Sequence, residues 1–218
     1  MNQNPAPIVC DSLIFDMDGT LWDAVDSYCK IWDTTFAQFG IQCPPIKRDE
    51  LLKHMGRHLE DMVRDLAPGL EDPDEFNRQL DLNEQKMMPV LGGRLYPGAF
   101  ETVKALAAKI PIFMVSNCGS QGLDNFGTYT GLKPYITATA SHGSTGLDKT
   151  DNIIKLVREY GLKQPWYVGD TQGDHNHSHK AGVNMVFCSY GFGTVDNPDR
   201  VIDDIRQLTD MVRPMPKD

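Results

Sequence analysis

Two carboxylates one residue apart, Asp16 and Asp18, stand directly after an apolar run that ends at Phe15. Such a run predicts a buried strand that carries the two acids at its C-terminal end. Ligands of open parallel sheets bind just beyond the strand ends, so both carboxylates are expected to meet substrate and metal in one crevice. The following glycine, Gly19, tolerates a left-handed backbone. On its own, an Asp-Gly pair is also an ordinary turn former.

Two further predicted strands also end in polar residues. One ends at Ser116 and Asn117, and the other leads into Asp170, with Asp174 four residues later. Carboxylates from two strand ends, with a third acid one helical turn further on, offer the oxygen-rich shell that Mg²⁺ prefers. The pattern therefore predicts a magnesium site at the edge of a sheet.

The same set of residues also suits a phosphate group. Ser116 and the backbone N–H groups at a helix N-terminus can bind phosphate oxygens, and Lys149, at the start of a predicted helix, adds positive charge,. Each residue has an ordinary structural alternative: Ser116 and Asn117 as a helix cap, Lys149 as a surface lysine, and Asp170 with Asp174 as an acidic first helical turn. Their occurrence in order, each at a strand end or helix start, favours a phosphate-and-magnesium site with a built-in nucleophile.

The elements that must position these residues follow an α/β pattern. An apolar strand is predicted from Pro7 to Phe15, and from residue 96 onward predicted strands alternate with helices. This alternation predicts a Rossmann-like parallel sheet with helices on both faces. The pattern also predicts a weak strand over 135–139, a final helix over 203–211 and a loose tail over 213–218.

The interval 22–93 is different, because it contains helical patterns and no convincing strand. A helical block inserted between strand-bearing segments indicates a separate all-α domain, and Leu91-Gly92-Gly93 at its exit supplies a flexible hinge. We therefore expect a catalytic core made of residues 1–21 and 94–218, with an inserted cap of residues 22–93.

The composition of the 218-residue chain limits its function class. The formal net charge of −9 disfavours nucleic acid as a partner, and no apolar run approaches the roughly 20 residues that cross a bilayer,. The five scattered cysteines fit reduced thiols, and residues 1–7 lack the basic and apolar regions of a secretory signal,. We expect a cytoplasmic protein, a monomer or homodimer, with no membrane or nucleic-acid partner.

In order and spacing, these residues resemble the four motifs of the haloacid dehalogenase-like hydrolases. The helical block resembles the cap that this family inserts after its first motif, as in phosphoglycolate phosphatases and β-phosphoglucomutases. One departure is that Thr150 stands where a proline commonly follows the motif lysine. The matching segments are Asp16-Met17-Asp18-Gly19-Thr20-Leu21, Ser116-Asn117, Lys149 and Gly169-Asp170-Thr171-x-x-Asp174.

The resemblance implies a role for each acid. Asp16 would be the nucleophile that forms an aspartyl-phosphate, and Asp18 would protonate the leaving oxygen and then deprotonate the attacking water. Asp18 must hold a proton near neutral pH for this, which requires a raised pKa. Mg²⁺ would bind Asp16, the backbone carbonyl of Asp18, and Asp170, with Asp174 a direct or water-mediated ligand.

The remaining motif residues, Ser116, Asn117 and Lys149, would bind the phosphate. Substrate choice would depend on the cap closing over the crevice, and the Gly56-Arg57 turn makes Arg57 the first candidate for contact with the substrate,. Other cations of the block or its exit are His54, His58, Arg64 and Arg94.

The leading hypothesis is a Mg²⁺-dependent phosphatase acting on a small phosphorylated metabolite. A phosphomutase of the β-phosphoglucomutase type would use the same core but return the phosphoryl group to a bound sugar phosphate. A dehalogenase is disfavoured because that branch lacks the second aspartate, which is present here as Asp18. An inactive relative acting as a regulatory binding module is a further alternative, and the intact acids speak against it.

Two other features suggest weaker functional interpretations. His175, His177 and His179 look like a metal-binding tract, but alternate residues of a helix point in different directions and cannot all meet one ion,. We interpret them as a solvated helix face. Cys118 follows the predicted phosphate-binding pair and is interpreted as small filler, with inhibition by oxidation as the alternative if it were exposed.

Overall fold

The computed structural model describes residues 6–216, and its strands fall into three sheets. In chain order the strands are β1 (Ile8–Cys10), β2 (Ser12–Phe15), β3 (Trp22–Asp23), β4 (Arg94–Leu95), β5 (Ile112–Ser116), β6 (Ala138–Ser141), β7 (Pro165–Gly169), β8 (Asn184–Cys188), β9 (Arg200–Ile202) and β10 (Val212–Pro214). The main sheet has six parallel strands in the order β6-β5-β2-β7-β8-β9. The predicted parallel sheet is confirmed, with β2 near its centre.

Helices connect these strands and also form the inserted block. They are α1 (Val25–Gln38), α2 (Arg48–Leu51), α3 (Leu59–Leu66), α4 (Pro73–Leu91), α5 (Ala99–Ala107), α6 (Gly122–Thr130), α7 (His142–Thr145), α8 (Lys149–Glu159), α9 (Gln172–Lys180) and α10 (Leu208–Met211). Short 3₁₀ turns lie at Leu52–His54, Lys133–Tyr135 and Ile205–Gln207. No helix within residues 6–216 is both long enough and apolar enough to span a membrane.

Helices cover both faces of the main sheet, as predicted. Along β2, Leu13 and Phe15 belong to one hydrophobic cluster and Ile14 belongs to another, because successive side chains of a strand point to opposite faces,. The cluster around Ile14 includes Ile153 of α8, and the cluster around Leu13 includes Leu106 of α5. A strand buried on both sides is a continuous apolar run, and this explains why β2 was recognisable from sequence.

The helices α1 to α4 pack around an aromatic core of their own. The rings of Phe36 and Phe76 lie 5.5 Å apart between centroids, and Trp32 lies 6.0 Å from Phe76. Asn83 of α4 donates a buried hydrogen bond to the Thr35 hydroxyl of α1 at 2.8 Å. We refer to residues 24–93, which include these four helices, as the helical block.

Short strands join the helical block to the rest of the chain. β3 precedes the block and pairs antiparallel with β4, which follows it. The prediction that 22–93 contains no strand is therefore wrong at its first two residues. Two-residue strands give too little alternation to be detected in a sequence.

Both ends of the described chain also differ from the sequence prediction. The strand predicted from Pro7 to Phe15 is two strands, broken at Asp11, whose carboxylate accepts backbone hydrogen bonds from Lys163 and Gln164. The final helix predicted over 203–211 is a 3₁₀ turn followed by the one-turn helix α10. The tail predicted to be loose contains β10, which pairs in parallel with β1, while its last two residues lie outside the described range.

Candidate active site

Three carboxylates converge where β2 and β7 end. Asp16 follows β2, Asp170 follows β7, and Asp174 lies in the first turn of α9. One oxygen atom from each lies within 4.8 Å of the others, and all three side chains are buried. The convergence follows from the sheet order, because β2 and β7 are hydrogen-bonded neighbours whose carboxyl ends meet at one edge,.

Lys149 brings a cation into this acidic cluster. It is the first residue of α8 and is only 2% exposed. Its Nζ donates to Asp16 Oδ1 at 3.0 Å and to Asp174 Oδ1 at 2.6 Å. Although burial favours the neutral amine, the charges of both aspartates raise the pKa of Lys149 well above its usual value,. Lys149 is therefore a charged, buried residue of the cluster and not a surface lysine.

Asp174 is held as an anion by the protein around it. Its Oδ2 accepts hydrogen bonds from the Asp170 amide at 3.2 Å, the Thr171 amide at 3.0 Å and the Thr171 hydroxyl at 2.7 Å. Its Oδ1 accepts from Lys149 and, at 3.4 Å, from the hydroxyl of Tyr167. Burial favours the protonated form, but Lys149 and the Thr171 donors hold the pKa of Asp174 below its usual value. Asp174 therefore fixes the position of the lysine.

Asp16 and Asp18 have higher pKa values than exposed aspartates. Burial raises the pKa of Asp16 to about 7 against the opposing charge of Lys149. Burial, followed by the charge of Asp16, raises the pKa of Asp18 to about 8. The Asp18 carboxyl accepts hydrogen bonds from Trp22 Nε1 at 3.0 Å and from the Tyr28 hydroxyl at 3.3 Å. Asp18 therefore holds a proton at neutral pH, which the predicted acid/base role requires.

The donor set of the cluster suits a divalent cation. Asp16, Asp170 and Asp174 place three carboxylates against the single charge of Lys149, and burial, together with the neighbouring acids, raises the pKa of Asp170 well above its usual value. Gly19, with φ +81°, lets the backbone approach this site, since a Cβ there would lie 2.1 Å from Asp170 Oδ2,. Carboxylate oxygens are the ligands that Mg²⁺ prefers, so the residues present fit that ion.

Ser116 and Asn117 lie beside Asp16 in the same cleft. The Ser116 hydroxyl accepts the Cys118 amide at 3.3 Å, and the Asn117 side chain donates to the Gly56 carbonyl at 2.8 Å. Neither residue caps a helix, because α6 begins only at residue 122. Asn117 Oδ1 is buried without a hydrogen-bond partner among the described residues. Asn117 therefore links the core to the helical block, a contact that the sequence did not predict.

The cleft over Asp16 lies between the core and the helical block. Its core side is formed by Cys118, Gly119 and the motif residues already described. The side formed by the helical block is mostly apolar and aromatic, with one acid and one arginine. Those residues are Tyr28, Trp32, Met55, Gly56, Arg57, Leu59, Met62 and Glu84.

Arg57 lines the cleft, and its charge is already paired. Its guanidinium donates to Asp65 Oδ2 at 2.6 Å and contacts His54 Nδ1 at 3.1 Å. Two of the other cations considered from sequence also have partners, because Arg64 pairs with Asp61 and the ring of His58 stacks on His142 at 4.1 Å between centroids. Arg94 is exposed in β4.

Sequence analysis missed three polar groups that face the cleft or its acids. Trp22 and Tyr28 are aromatic residues that a periodicity pattern counts as apolar, yet their N–H and O–H groups donate to Asp18. No feature of the sequence marked Glu84 as a cleft residue, since a glutamate on an amphipathic helix ordinarily faces solvent. In the structure it is half-buried against the cleft.

The histidine tract divides into two parts. The Thr150 hydroxyl lies 2.8 Å from His177 Nδ1, while the rings of His175 and His179 lie 4.0 Å apart on successive turns of α9, with Asp199 at 2.7 Å from His179 Nε2. The three histidines do not share one site, as predicted, because His177 points away from the other two, but ligand atoms of His175, His179 and Asp199 lie within 4.8 Å of one another.

Cys118 lines the cleft as a half-buried thiol. Burial raises the pKa of Cys118 to about 12. A thiol with this pKa stays protonated at neutral pH, and the thiolate is the form that oxidants attack readily. This environment fits the interpretation of Cys118 as filler.

Comparison with known proteins agrees with this geometry. The family model described as haloacid dehalogenase-like hydrolase matches residues 13–188. Among curated proteins, a phosphoglycolate phosphatase from Photobacterium profundum is 26% identical over 225 residues, covering 92% of this chain and 95% of the relative. A phosphoglycolate phosphatase from Agrobacterium fabrum is 26% identical over 211 residues, covering 90% and 89%.

Solved structures share the fold at lower identity. A predicted phosphoglycolate phosphatase from Haemophilus somnus superposes with a TM-score of 0.80 at 22% identity, covering 92% of this chain and 97% of that one. CbbY from Rhodobacter sphaeroides, solved in complex with phosphate, superposes with a TM-score of 0.79 at 16% identity, covering 92% and 96%.

Proposed function

Because this chain belongs to the haloacid dehalogenase-like hydrolases, we propose that it is a Mg²⁺-dependent phosphatase that hydrolyses small phosphomonoesters through an aspartyl-phosphate. The observation that carries the proposal is the pair Asp16 and Asp18 at one strand end. Asp16 contacts a buried lysine, and Asp18 has a pKa of about 8. Names of relatives that cover nearly the whole chain support the same reaction class.

In the first half of the proposed reaction, a carboxylate oxygen of Asp16 attacks phosphorus. The P–O bond to the alcohol breaks, and Asp18 gives its proton to the leaving oxygen. Lys149 lies 3.0 Å from Asp16 Oδ1, where its charge stabilises the phosphoryl oxygens and orients the nucleophile,. Ser116 lines the same cleft and supplies a hydroxyl that can donate to phosphate,.

In the second half, Asp18 takes a proton from a water molecule, which attacks the phosphorus of the aspartyl-phosphate. Inorganic phosphate leaves, and the Asp16 carboxylate is restored. Asp18 thus acts first as an acid and then as a base, which a pKa near the working pH favours,.

The carboxylates of Asp16, Asp170 and Asp174 would hold Mg²⁺, with Asp174 acting directly or through water. When bound, the ion would offset the negative charge that otherwise keeps a carboxylate from approaching a phosphate. Buried Asp170 is oriented by the Thr20 hydroxyl at 3.0 Å and the Phe192 amide at 2.8 Å, so its carboxylate is fixed before an ion arrives.

Residues 22–93 would act as a cap on the core. Three side-chain contacts support this role, since each joins the helical block to the segment that follows β5. Asn117 donates to Gly56, the Ser120 hydroxyl donates to Asp81 Oδ2 at 3.3 Å, and Gln85 donates to Ser120 at 3.2 Å. A cap closed in this way excludes bulk water from the acyl-phosphate.

The test is phosphate release from a panel of phosphomonoesters, with Mg²⁺ and with chelator. We expect turnover that the chelator abolishes. Replacement of the nucleophile, Asp16→Asn, should reduce kcat by at least about 1,000-fold, while the exposed control Asp49→Asn retains it. Wild-type turnover by Asp16→Asn would overturn the mechanism. Isomerised sugar phosphate without phosphate release would identify a phosphomutase instead.

A further inference from the structure

Glu84 is a carboxylate that faces the substrate cleft without a partner in the protein. It lies on α4 and is half-buried. Among residues 6–216, no hydrogen bond or ion pair engages its carboxylate. Burial and the neighbouring acids Asp81 and Asp18 raise the pKa of Glu84. A carboxylate that faces the cleft and has no partner in the protein can pair with a cationic group that arrives with the ligand.

A second acid stands one helical turn before Glu84. The Asp81 side chain accepts hydrogen bonds through Oδ2 from Gln85 at 2.8 Å and Ser120 at 3.3 Å, but its Oδ1 is buried with no partner among the described residues. The core loop touches both acids at Gly119, where a Cβ would lie 2.1 Å from Asp81 Oδ1 and 3.5 Å from Glu84 Oε2. Two acids therefore lie at the boundary between the helical block and the core, and one of them has a buried oxygen with no partner among the described residues.

The two cations that line the cleft, Lys149 and Arg57, are already paired with carboxylates of the protein. Lys149 is held between Asp16 and Asp174, and Arg57 is paired with Asp65. A substrate with a second anionic group would bring that group toward Glu84, with no unpaired cation among the described residues that line the cleft,.

The other walls of the cleft suit a cation on a short apolar stem. Tyr28 and Trp32 present aromatic rings, and Met55, Leu59 and Met62 present apolar surface. Aromatic faces attract ammonium groups, and apolar side chains pack against methylene groups. The cleft therefore combines a phosphate end at Asp16 with an acidic, partly aromatic end at Glu84, whose carboxyl an incoming ammonium group would favour in its ionised form,.

We propose that Glu84 forms a subsite for a positively charged group on the leaving alcohol, so that the preferred substrates are aminoalkyl phosphomonoesters. This inference rests on the proposed phosphatase function. It separates this chain from the curated relatives named phosphoglycolate phosphatase, because phosphoglycolate carries a carboxylate where the subsite would bind an ammonium group.

Three phosphomonoesters of nearly equal size test the subsite. They are 2-aminoethyl phosphate, 2-hydroxyethyl phosphate and phosphoglycolate, which place an ammonium, a hydroxyl and a carboxylate at the same distance from phosphorus. With Mg²⁺ present, we expect the wild-type kcat/KM to favour the aminoethyl ester over phosphoglycolate by about 30-fold or more, the size of one favourable charge pair exchanged for one repulsive pair.

The isosteric variant Glu84→Gln removes the acid and should reduce that preference by about tenfold. The control variant Glu71→Gln changes an exposed glutamate outside the cleft and should keep the wild-type preference. A wild-type enzyme that prefers phosphoglycolate, or a Glu84→Gln variant with an unchanged preference, overturns the subsite.

A binding measurement on the wild-type protein keeps the test independent of how the variant folds. With p-nitrophenyl phosphate as substrate, 2-aminoethylphosphonate should inhibit at a concentration about tenfold lower than phosphonoacetate. Equal inhibition, or stronger inhibition by phosphonoacetate, overturns the subsite alone. Absence of Mg²⁺-dependent phosphate release from every ester, p-nitrophenyl phosphate included, overturns the phosphatase function and this inference with it.

Discussion

The side-chain amide of Asn117 donates a hydrogen bond to the backbone carbonyl of Gly56 at 2.8 Å, and this bond joins the core to the helical block at the rim of the cleft. Asn117 follows the strand that ends beside Asp16, whereas Gly56 lies in a turn with φ +82° before α3. The bond therefore couples the position of the helical block to the strand end where the reaction is proposed to occur.

Loss of this bond should loosen the closed arrangement. A net hydrogen bond contributes about 1 kcal/mol, so Asn117→Ala should raise KM about fivefold, and backbone amides of residues 54–58 should exchange their hydrogens faster. Hydrogen exchange followed by mass spectrometry measures the second effect directly. The exposed variant Asn176→Ala serves as the control. Unchanged exchange in Asn117→Ala would show that the bond does not hold the block closed.

Asp174 should influence catalysis through Lys149. Its carboxylate is occupied by hydrogen bonds and anchors the lysine at 2.6 Å, so Asp174→Asn should let Lys149 pair more tightly with Asp16 and weaken the nucleophile. We expect kcat at saturating Mg²⁺ to fall about 100-fold, with Asp151→Asn on the exposed face of α8 near wild type. If extra Mg²⁺ restores full activity to Asp174→Asn, metal affinity and not lysine position is what Asp174 controls.

The protonation of Asp18 should set the alkaline limit of activity. Because burial raises its pKa to about 8, Asp18 is protonated below that pH and loses its proton above it. The kcat for alkyl phosphates should therefore fall about tenfold per pH unit above about pH 8. The kcat for p-nitrophenyl phosphate should fall less, since p-nitrophenolate leaves without a proton. Equal declines for both esters would count against Asp18 as the acid.

The hydroxyl of Tyr28 should lower the pH at which activity begins to fall. It donates to Asp18 and so favours the ionised carboxylate, which lowers the Asp18 pKa relative to a site without the donor,. Tyr28→Phe should shift the alkaline limb to higher pH by about half a unit, because a hydrogen bond to a charged group is lost. A pH–rate profile of the variant decides the sign, and a shift to lower pH would refute this role.

Glu84 should reduce stability at high pH. Burial, followed by the charges of Asp81 and Asp18, raises its pKa from 4.5 to about 8. A carboxyl whose folded pKa is raised supports folding below its unfolded pKa, and that contribution is lost as pH rises through the folded pKa. Relative to wild type, Glu84→Gln should therefore gain about 3 kcal/mol in the free energy of unfolding between pH 5 and pH 9. Urea melts with chelator, compared with Glu71→Gln, measure this gain, and a pH-independent difference would refute it.

Asp16 and Asp170 of the proposed site were predictable because each one follows a strand that is easily recognised in the sequence. β2 and β7 are short, buried runs bounded by polar residues, and such boundaries place Asp16 and Asp170 at the same edge of a parallel sheet,. The pairing of Lys149 with Asp174 could not be predicted, because it depends on the sheet order that places α8 beside α9. The sequence indicated that Lys149 starts a helix but not which carboxylate it meets.

The features that sequence analysis missed depend on contacts across long stretches of chain. β10 is a strand only because it pairs with β1, which lies more than 200 residues earlier in the chain. Nothing in its local sequence distinguishes it from a loose tail. Glu84 faces the cleft because α4 packs on α1 through Phe76 and Asn83, which turns the next residue toward the core. Amphipathic periodicity identifies the buried side of a helix, but it does not identify which border residue meets another domain.

The central position of β2 has a consequence for how the protein is made. The strand that leads to Asp16 is synthesised before the other strands of the main sheet, yet one of its two sheet neighbours is β7, and Thr20 bonds to Asp170, 150 residues further along the chain. The helical block is contiguous and can fold while translation continues at about 5–20 residues per second. A nascent chain that stops before β7 has its proposed nucleophile but lacks two of the three carboxylates of the cluster, Asp170 and Asp174. Enzymatic activity should therefore begin only after Asp170 has cleared the exit tunnel, so premature termination products would be inert.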